Sequence, residues 1–211
     1  MITTHTQLLN ALIEKHNLRS YLEIGVQNPA NNFDKINAPH KIGVDPEISE
    51  RVVRNPGSSE YLAQCTSDDY FAGNHTYGNN EFGVVLPKID LIFIDGDHTK
   101  EQIKKDFENA LTCLSDNGFI VIHDVLPENE AGTLVPRIQR QWWGDVYKWA
   151  MQINQYTGIK WVTFNIDNGC MLVSKSNPGY SLTLDPAITY DWEGYLKHRN
   201  LCMNVINEVV I

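Results

Sequence analysis

The chain has 211 residues, 42% of them hydrophobic and 20% charged, the proportions of an ordinary folded domain with a sizeable core. A formal net charge of −9 and a pI near 5.2 set its surface against nucleic-acid phosphates and anionic membranes; the adjacent pair Lys104-Lys105 reads as a solvated helix face. Four widely spaced cysteines (Cys65, Cys113, Cys170, Cys202) make neither a zinc signature nor a dense disulfide framework, and Cys113 and Cys170 lie in apolar surroundings that suit buried thiols. No run approaches the length of a membrane-spanning helix, and Met1-Ile2-Thr3-Thr4-His5 lacks the basic and apolar regions of a secretion signal. The expected compartment is therefore the cytoplasm, without membrane insertion and without a nucleic-acid partner.

Residues 6–17 place Leu8, Leu9, Leu12 and Ile13 at helical spacing behind threonines suited to capping. A strand over 21–26 ends in Gly25-Val26, a turn-rich stretch covers 27–37, and a second strand over 41–46 closes on Asp45-Pro46. The pattern weakens from 47 to 88. Within it, 67–72 opens a helix with Ser67 or Asp68 as cap, and the Gly- and Asn-rich stretch 75–83 reads as loop. Residues 89–94 form a strand and 100–114 a helix with Ile103, Phe107, Ala110, Leu111 and Leu114 on one face. Asp116-Asn117-Gly118 reads as a turn before a strand over 119–122, and 133–151 reads as helix. Strands over 161–166 and 170–174 are joined by Asp167-Asn168-Gly169, a strong hairpin signal. A C-terminal arm follows Pro178-Gly179, with a helix over 192–206.

Alternation of strand and helix predicts a Rossmann-like, doubly wound α/β fold: a mainly parallel sheet with an antiparallel terminal hairpin. The expected division is a domain over 1–176 and a helical arm over 177–211, packed on that domain or on a partner subunit, which leaves homo-oligomerisation open.

In such a sheet, ligands sit outside the carboxyl ends of the strands. Two apolar runs end there in acid and imidazole: Ile92-Phe93-Ile94-Asp95-Gly96-Asp97-His98 and Phe119-Ile120-Val121-Ile122-His123-Asp124. Neighbouring carboxylates repel unless one is protonated or a cation bridges them, and oxygen ligands suit Mg²⁺ or a similar ion. The alternative is that Asp124 caps a turn and Asp95 binds backbone amides. His98 and His123 titrate in the range useful to a general base. His5, His16, His40, His75 and His198 have no such neighbours and read as surface or loop residues. Gly25 allows close backbone approach to a ligand, and Asp45, about twenty residues on, has the spacing of an acidic residue that takes ribose hydroxyls. Gln27, Pro29 and Asn31 break the G-x-G-x-x-G fingerprint, which argues against NAD and FAD and so against a dehydrogenase. The stretch Trp142 to Lys148, dense in aromatics, reads as a pocket wall or as core packing.

These segments, with Tyr21 to Val26, Gly43-Val44-Asp45 and Thr66-Ser67-Asp68-Asp69, resemble class I S-adenosylmethionine-dependent methyltransferases over residues 5–175, and the resemblance implies that fold's seven-stranded sheet, which the terminal hairpin fits. More narrowly the chain is similar to the methyltransferase family 24-like group that includes metal-dependent O-methyltransferases of sugars and small molecules, some associated with polysaccharide or natural-product biosynthesis. The resemblance implies S-adenosylmethionine as methyl donor, with Glu23, Gly25, Asp45, Ser67, Asp68 and Asp95 around it. It implies Mg²⁺ or another divalent cation on Asp95 and Asp124, catalysis by His98 with Asp95, and a small, sugar-like acceptor. Two positions depart from the pattern. Gln27 replaces the second glycine of E-x-G-x-G, and Val125 follows Asp124 where catechol-type enzymes carry an asparagine ligand, leaving His123 or water to stand in. The alternative function is a non-catalytic scaffold or regulatory protein with a degenerate donor site.

Overall fold

The computed structural model of the chain describes residues 1–49, 59–74 and 88–211. The loop expected over 75–83, with His75, lies outside the described residues. Among the described residues, eight strands form one sheet in the order β3-β2-β1-β4-β5-β7-β6-β8: β1 (Ser20–Ile24), β2 (His40–Val44), β3 (Glu60–Ala63), β4 (Ile89–Ile94), β5 (Leu114–Ile122), β6 (Ile159–Phe164), β7 (Cys170–Lys175) and β8 (Val205–Ile206). Strands β1 to β5 pair in parallel, and β7 runs antiparallel to both β5 and β6. The six strands placed from the sequence are thus joined by β3 and by a two-residue β8, paired parallel to β6, one strand more than the resemblance implies.

Side chains of successive strand residues point to opposite faces, and each face has its own core. Ile92 and Ile94 of β4 join Leu22, Ile24, Ile120 and Ile122 in one apolar layer, while Leu91 and Phe93 join Tyr21 and Val121 in the other. Helix α1 (His5–His16) covers the second layer. Thr4 accepts a hydrogen bond from Gln7 N at its start, Asn17 ends it at φ +51, and Leu8, Leu9, Leu12 and Ile13 are buried. Helices α2 (Ser67–Phe71), α3 (Lys100–Cys113), α4 (Val146–Ala150) and α5 (Trp192–Met203) lie on the first layer. Thr66, rather than Ser67 or Asp68, caps α2 by accepting from Asp69 N. On α3, Thr99 supplies the cap and Ile103, Phe107 and Ala110 the buried stripe; Leu114 already belongs to β5.

The helix expected over 133–151 is only α4, because Pro136 has no N–H to give a helical ladder and Gly144 turns at φ +60, where an added Cβ would meet His98 O at 1.8 Å. The turn expected at Asp116-Asn117-Gly118 is absorbed into β5 as a break in register: Ile89 pairs with Leu114 but Leu91 with Phe119. Helix α5 stops at Met203 on a left-handed Asn204, which frees Val205-Ile206 for β8. It buries Tyr195, Cys202 and Met203 in the same apolar layer as α3 and α4, and Tyr195 Oη donates to Pro127 O. Cys113, Cys170 and Cys202 are buried free thiols. No helix among the described residues is long and apolar enough to cross a membrane.

Candidate active site

After β1 the chain builds β2 and β3 on one side, then returns to place β4 on the other. The sheet therefore has a switch point between β1 and β4, where a crevice opens at the strand ends. A cavity of about 770 Å³ lies there, a size suited to a small ligand. Glu23, Gly25, Asp45, Ser67, Asp68 and Asp95 all line it, as does His98. His123 and Asp124 are buried beside Asp95 at the end of β5.

Gly25 adopts φ +94, and an added Cβ would lie 2.1 Å from Asp95 O; this glycine lets the ends of β1 and β4 meet at the cavity floor. Gln27 takes φ +46, the left-handed conformation that a glycine at this place would adopt freely. Its N–H donates to Asp45 Oδ2 at 2.9 Å, and Glu47 N donates to Asp45 Oδ1 at 2.7 Å. Gln27 thus holds a left-handed backbone and reaches Asp45 without a glycine. Glu23 is buried, and its Oε2 accepts from Tyr21 Oη (2.5 Å) and Asn32 Nδ2 (2.9 Å). Burial outweighs those bonds and pushes its carboxyl up to about 8. At the far wall Gln102 Nε2 donates to Ser67 Oγ and Asp68 Oδ1, and Lys105 pairs with Asp68 Oδ2 at 3.0 Å.

On the β5 side two carboxylates alternate with two imidazoles. His123 Nε2–H donates to Asp167 O at 2.7 Å, and its Nδ1 faces Asp95 Oδ1 (3.1 Å) and Asp124 Oδ1 (3.5 Å). His98 Nε2 lies 3.4 Å from Asp95 Oδ1, and its Nδ1 lies 3.3 Å from Asp124 Oδ2. Among the described residues, the buried atoms His98 Nδ1 and Asp124 Oδ1 have no hydrogen-bond partner. Burial opposes charge on every member, yet the carboxylates prevail on the imidazoles: His123 is pushed up to about 10 and His98 is raised, while His123 and His98 hold Asp95 well below the usual carboxylate range. Asp124 is raised by its burial. The cluster therefore demands a positive charge between His123 Nδ1 and the two carboxylates, supplied by a proton or by a metal ion.

The donor chemistry fits a metal. A metal-bound histidine ordinarily spends its other N–H on a carbonyl or carboxylate, as His123 does, and the orphaned Asp124 Oδ1 faces the same space. Asp95, His98 and Asp124 also bring donor atoms within 4.8 Å of one another.

Two aromatic readings are divided between adjacent residues. Trp142 stacks on His98 (centroids 5.4 Å apart, planes at 13°) and lines the cavity, whereas Trp143 is buried in the core. His5 overturns its reading as a surface residue. It lines the cavity, binds Asp167, stacks on Phe93 and meets the edge of His123. Asp167 and His5 carry no shared sequence signal, being 162 positions apart. The one hint was that the hairpin turn at 167–169 must close beside the end of β5.

Comparisons with known proteins bear on the family and the fold. A family described as a methyltransferase domain matches residues 11–125, more than half of the chain. The chain belongs to that family, and with it to the class I S-adenosylmethionine-dependent methyltransferases. Among solved structures it is similar to the O-methyltransferase TomG from Streptomyces achromogenes in complex with S-adenosylmethionine (13% identity, TM-score 0.54, 81% of this chain and 79% of that one). It is also similar to the S-adenosylhomocysteine-bound methyltransferase PaMTH1 of Podospora anserina (14%, 0.57, 81% and 77%). A third is the O-methyltransferase from Bacillus cereus with S-adenosylhomocysteine (15%, 0.57, 81% and 80%). At these identities the likeness is one of fold. No curated protein matches the chain significantly.

Proposed function

We propose that this chain transfers a methyl group from S-adenosylmethionine to a hydroxyl of a sugar or other small hydroxylated acceptor, with a divalent cation at the strand ends. The observation that carries this reading is the position of the His–Asp cluster at the edge of the switch-point cavity, where two carboxylates and an imidazole nitrogen face one space.

Asp45 keeps lone pairs for ribose hydroxyls while its carboxylate is held by the N–H groups of Gln27 and Glu47. Ser67 and Asp68 border the adenine side, and Glu23 with Gly25 the methionine side. Because Gln27 holds the glycine-like backbone, the departure from the motif supports a working donor loop over a degenerate scaffold. Asp95, Asp124 and His123 would hold the cation, Mg²⁺ or, with an imidazole in the set, Mn²⁺. A cation there supplies Lewis acidity that makes an acceptor hydroxyl easier to deprotonate. His98, whose Nδ1 faces Asp124 and whose Nε2 faces Asp95, lines the cavity and would take the acceptor's proton. Trp142, stacked on His98, fixes that ring.

Incubation with methyl-labelled S-adenosylmethionine and a panel of sugars and catechols tests the reading. The expected result is label on an acceptor oxygen, lost on chelation and restored by Mn²⁺ or Mg²⁺. Transfer undiminished by a chelator overturns the cation, and transfer to nitrogen or carbon acceptors alone overturns O-methylation.

A further inference from the structure

We propose that His5 is a positioning residue for the cation site, acting through Asp167 on His123. The inference rests on the reading of Asp95, Asp124 and His123 as that site. His5 opens α1, and both its backbone N (2.9 Å) and its Nδ1 (2.5 Å) reach the same oxygen, Asp167 Oδ2. An ionised carboxylate only accepts, so Nδ1 carries the proton and the ring's orientation is fixed. The ring is held flat on Phe93 of β4 (centroids 5.3 Å apart, planes at 17°) and stands edge-on to His123 at 4.7 Å. Two copies of the same constraint, main chain and side chain, thus tie the start of α1 to the hairpin turn.

That turn has an unusual backbone: Asp167, Asn168 and Gly169 all have positive φ, at +46, +63 and +92. Its left-handed path aims Asp167 O at His123 Nε2, 2.7 Å away. A carbonyl cannot donate, so the proton of a neutral His123 must sit on Nε2 and its lone pair on Nδ1. Nδ1 then faces Asp95 Oδ1 and Asp124 Oδ1, three electron pairs around one space. The clamp also keeps the Asp167 carboxylate from taking over the histidine. Oδ2 lies 4.0 Å from His123 Nε2 and, with His5 gone, is free to swing onto it and rotate the ring away from the cation. Loss of an outer partner of this kind ordinarily weakens a metal site by about 10- to 100-fold.

The test is Mn²⁺ binding to the full chain, read by the electron paramagnetic resonance signal of free Mn²⁺, beside circular dichroism for fold. His5→Phe keeps the stack on Phe93 but loses Nδ1, and should weaken Mn²⁺ binding about 10- to 100-fold. His5→Asn offers an N–H toward Asp167 and should recover most of the affinity. A merely structural latch would lower thermal stability and leave Mn²⁺ affinity unchanged; equal affinity in the native chain and His5→Phe overturns the proposal. Failure of the native chain itself to bind Mn²⁺ overturns instead the cation site on which the proposal rests.

Discussion

Gly25→Ala should cost about 2–5 kcal/mol of stability, the sum of a positive-φ penalty and an unrelieved clash. At φ +94, its new Cβ would lie 2.1 Å from Asp95 O and 2.5 Å from Gly96 Cα, both backbone atoms that no rotamer change can move. The only relief is to part β1 from β4 where Asp95 N donates to Ile24 O, at the floor of the cavity. Gly158→Ala is the matched control. Its φ is +75, but the nearest atom to its Cβ is 3.9 Å away, so it carries the conformational penalty alone. Thermal melts should show Gly158→Ala losing roughly 1–2 kcal/mol and Gly25→Ala at least twice that. Equal losses would show that the two strand ends do not meet as described.

The second large effect concerns Glu23. Its carboxyl is raised from the ordinary 4.5 to about 8, chiefly by burial, so the folded chain prefers the protonated acid. A raised folded-state pKa contributes stability that is complete below pH 4.5 and is lost as pH climbs through about 8. Glu23→Gln keeps an acceptor for the Tyr21 hydroxyl and the Asn32 amide and cannot ionise. The two chains should therefore be nearly equal in stability at pH 4.5. The glutamine variant should gain steadily to pH 8 and level off above it, with a final advantage on the order of 5 kcal/mol. Denaturant titrations across that window read the gap directly; a gap that shrinks with pH contradicts the assignment. Native glutamate at this cost makes sense where a cationic ligand restores its charge, and the ammonium end of the proposed donor is such a ligand.

The parallel half of the sheet was legible in the sequence because its strands are apolar runs that stop at polar groups. Ile89 to Ile94 is buried on both faces and ends at Asp95, and α3 announces itself by its Thr99 cap and one buried stripe. Once those elements alternate, the right-handed crossover rule places Glu23, Asp45, Asp95 and Asp124 along one edge. β3 was not legible: Glu60–Ala63 is a four-residue edge strand with no flanking signal. The 133–151 segment misled because its apolar residues fall at helical spacing, while Pro136 and the left-handed Gly144 set the backbone. His5 and Asp167 lay beyond reach for a different reason. Their meeting depends on where α1 begins relative to a hairpin closed late in the chain, and single-residue context carries none of that. Trp142 and Trp143 show the same limit at close range, since adjacent residues of one type took opposite roles.

Calorimetric titration of the native chain and Asp45→Ala with S-adenosylmethionine tests the central claim most directly. The account predicts micromolar binding to the native chain and a loss of about 100-fold or more in Asp45→Ala, the worth of charged hydrogen bonds to ribose hydroxyls. Well-folded native protein that takes up no S-adenosylmethionine, with or without Mg²⁺ or Mn²⁺, would contradict it and leave the switch-point cavity without its assigned ligand.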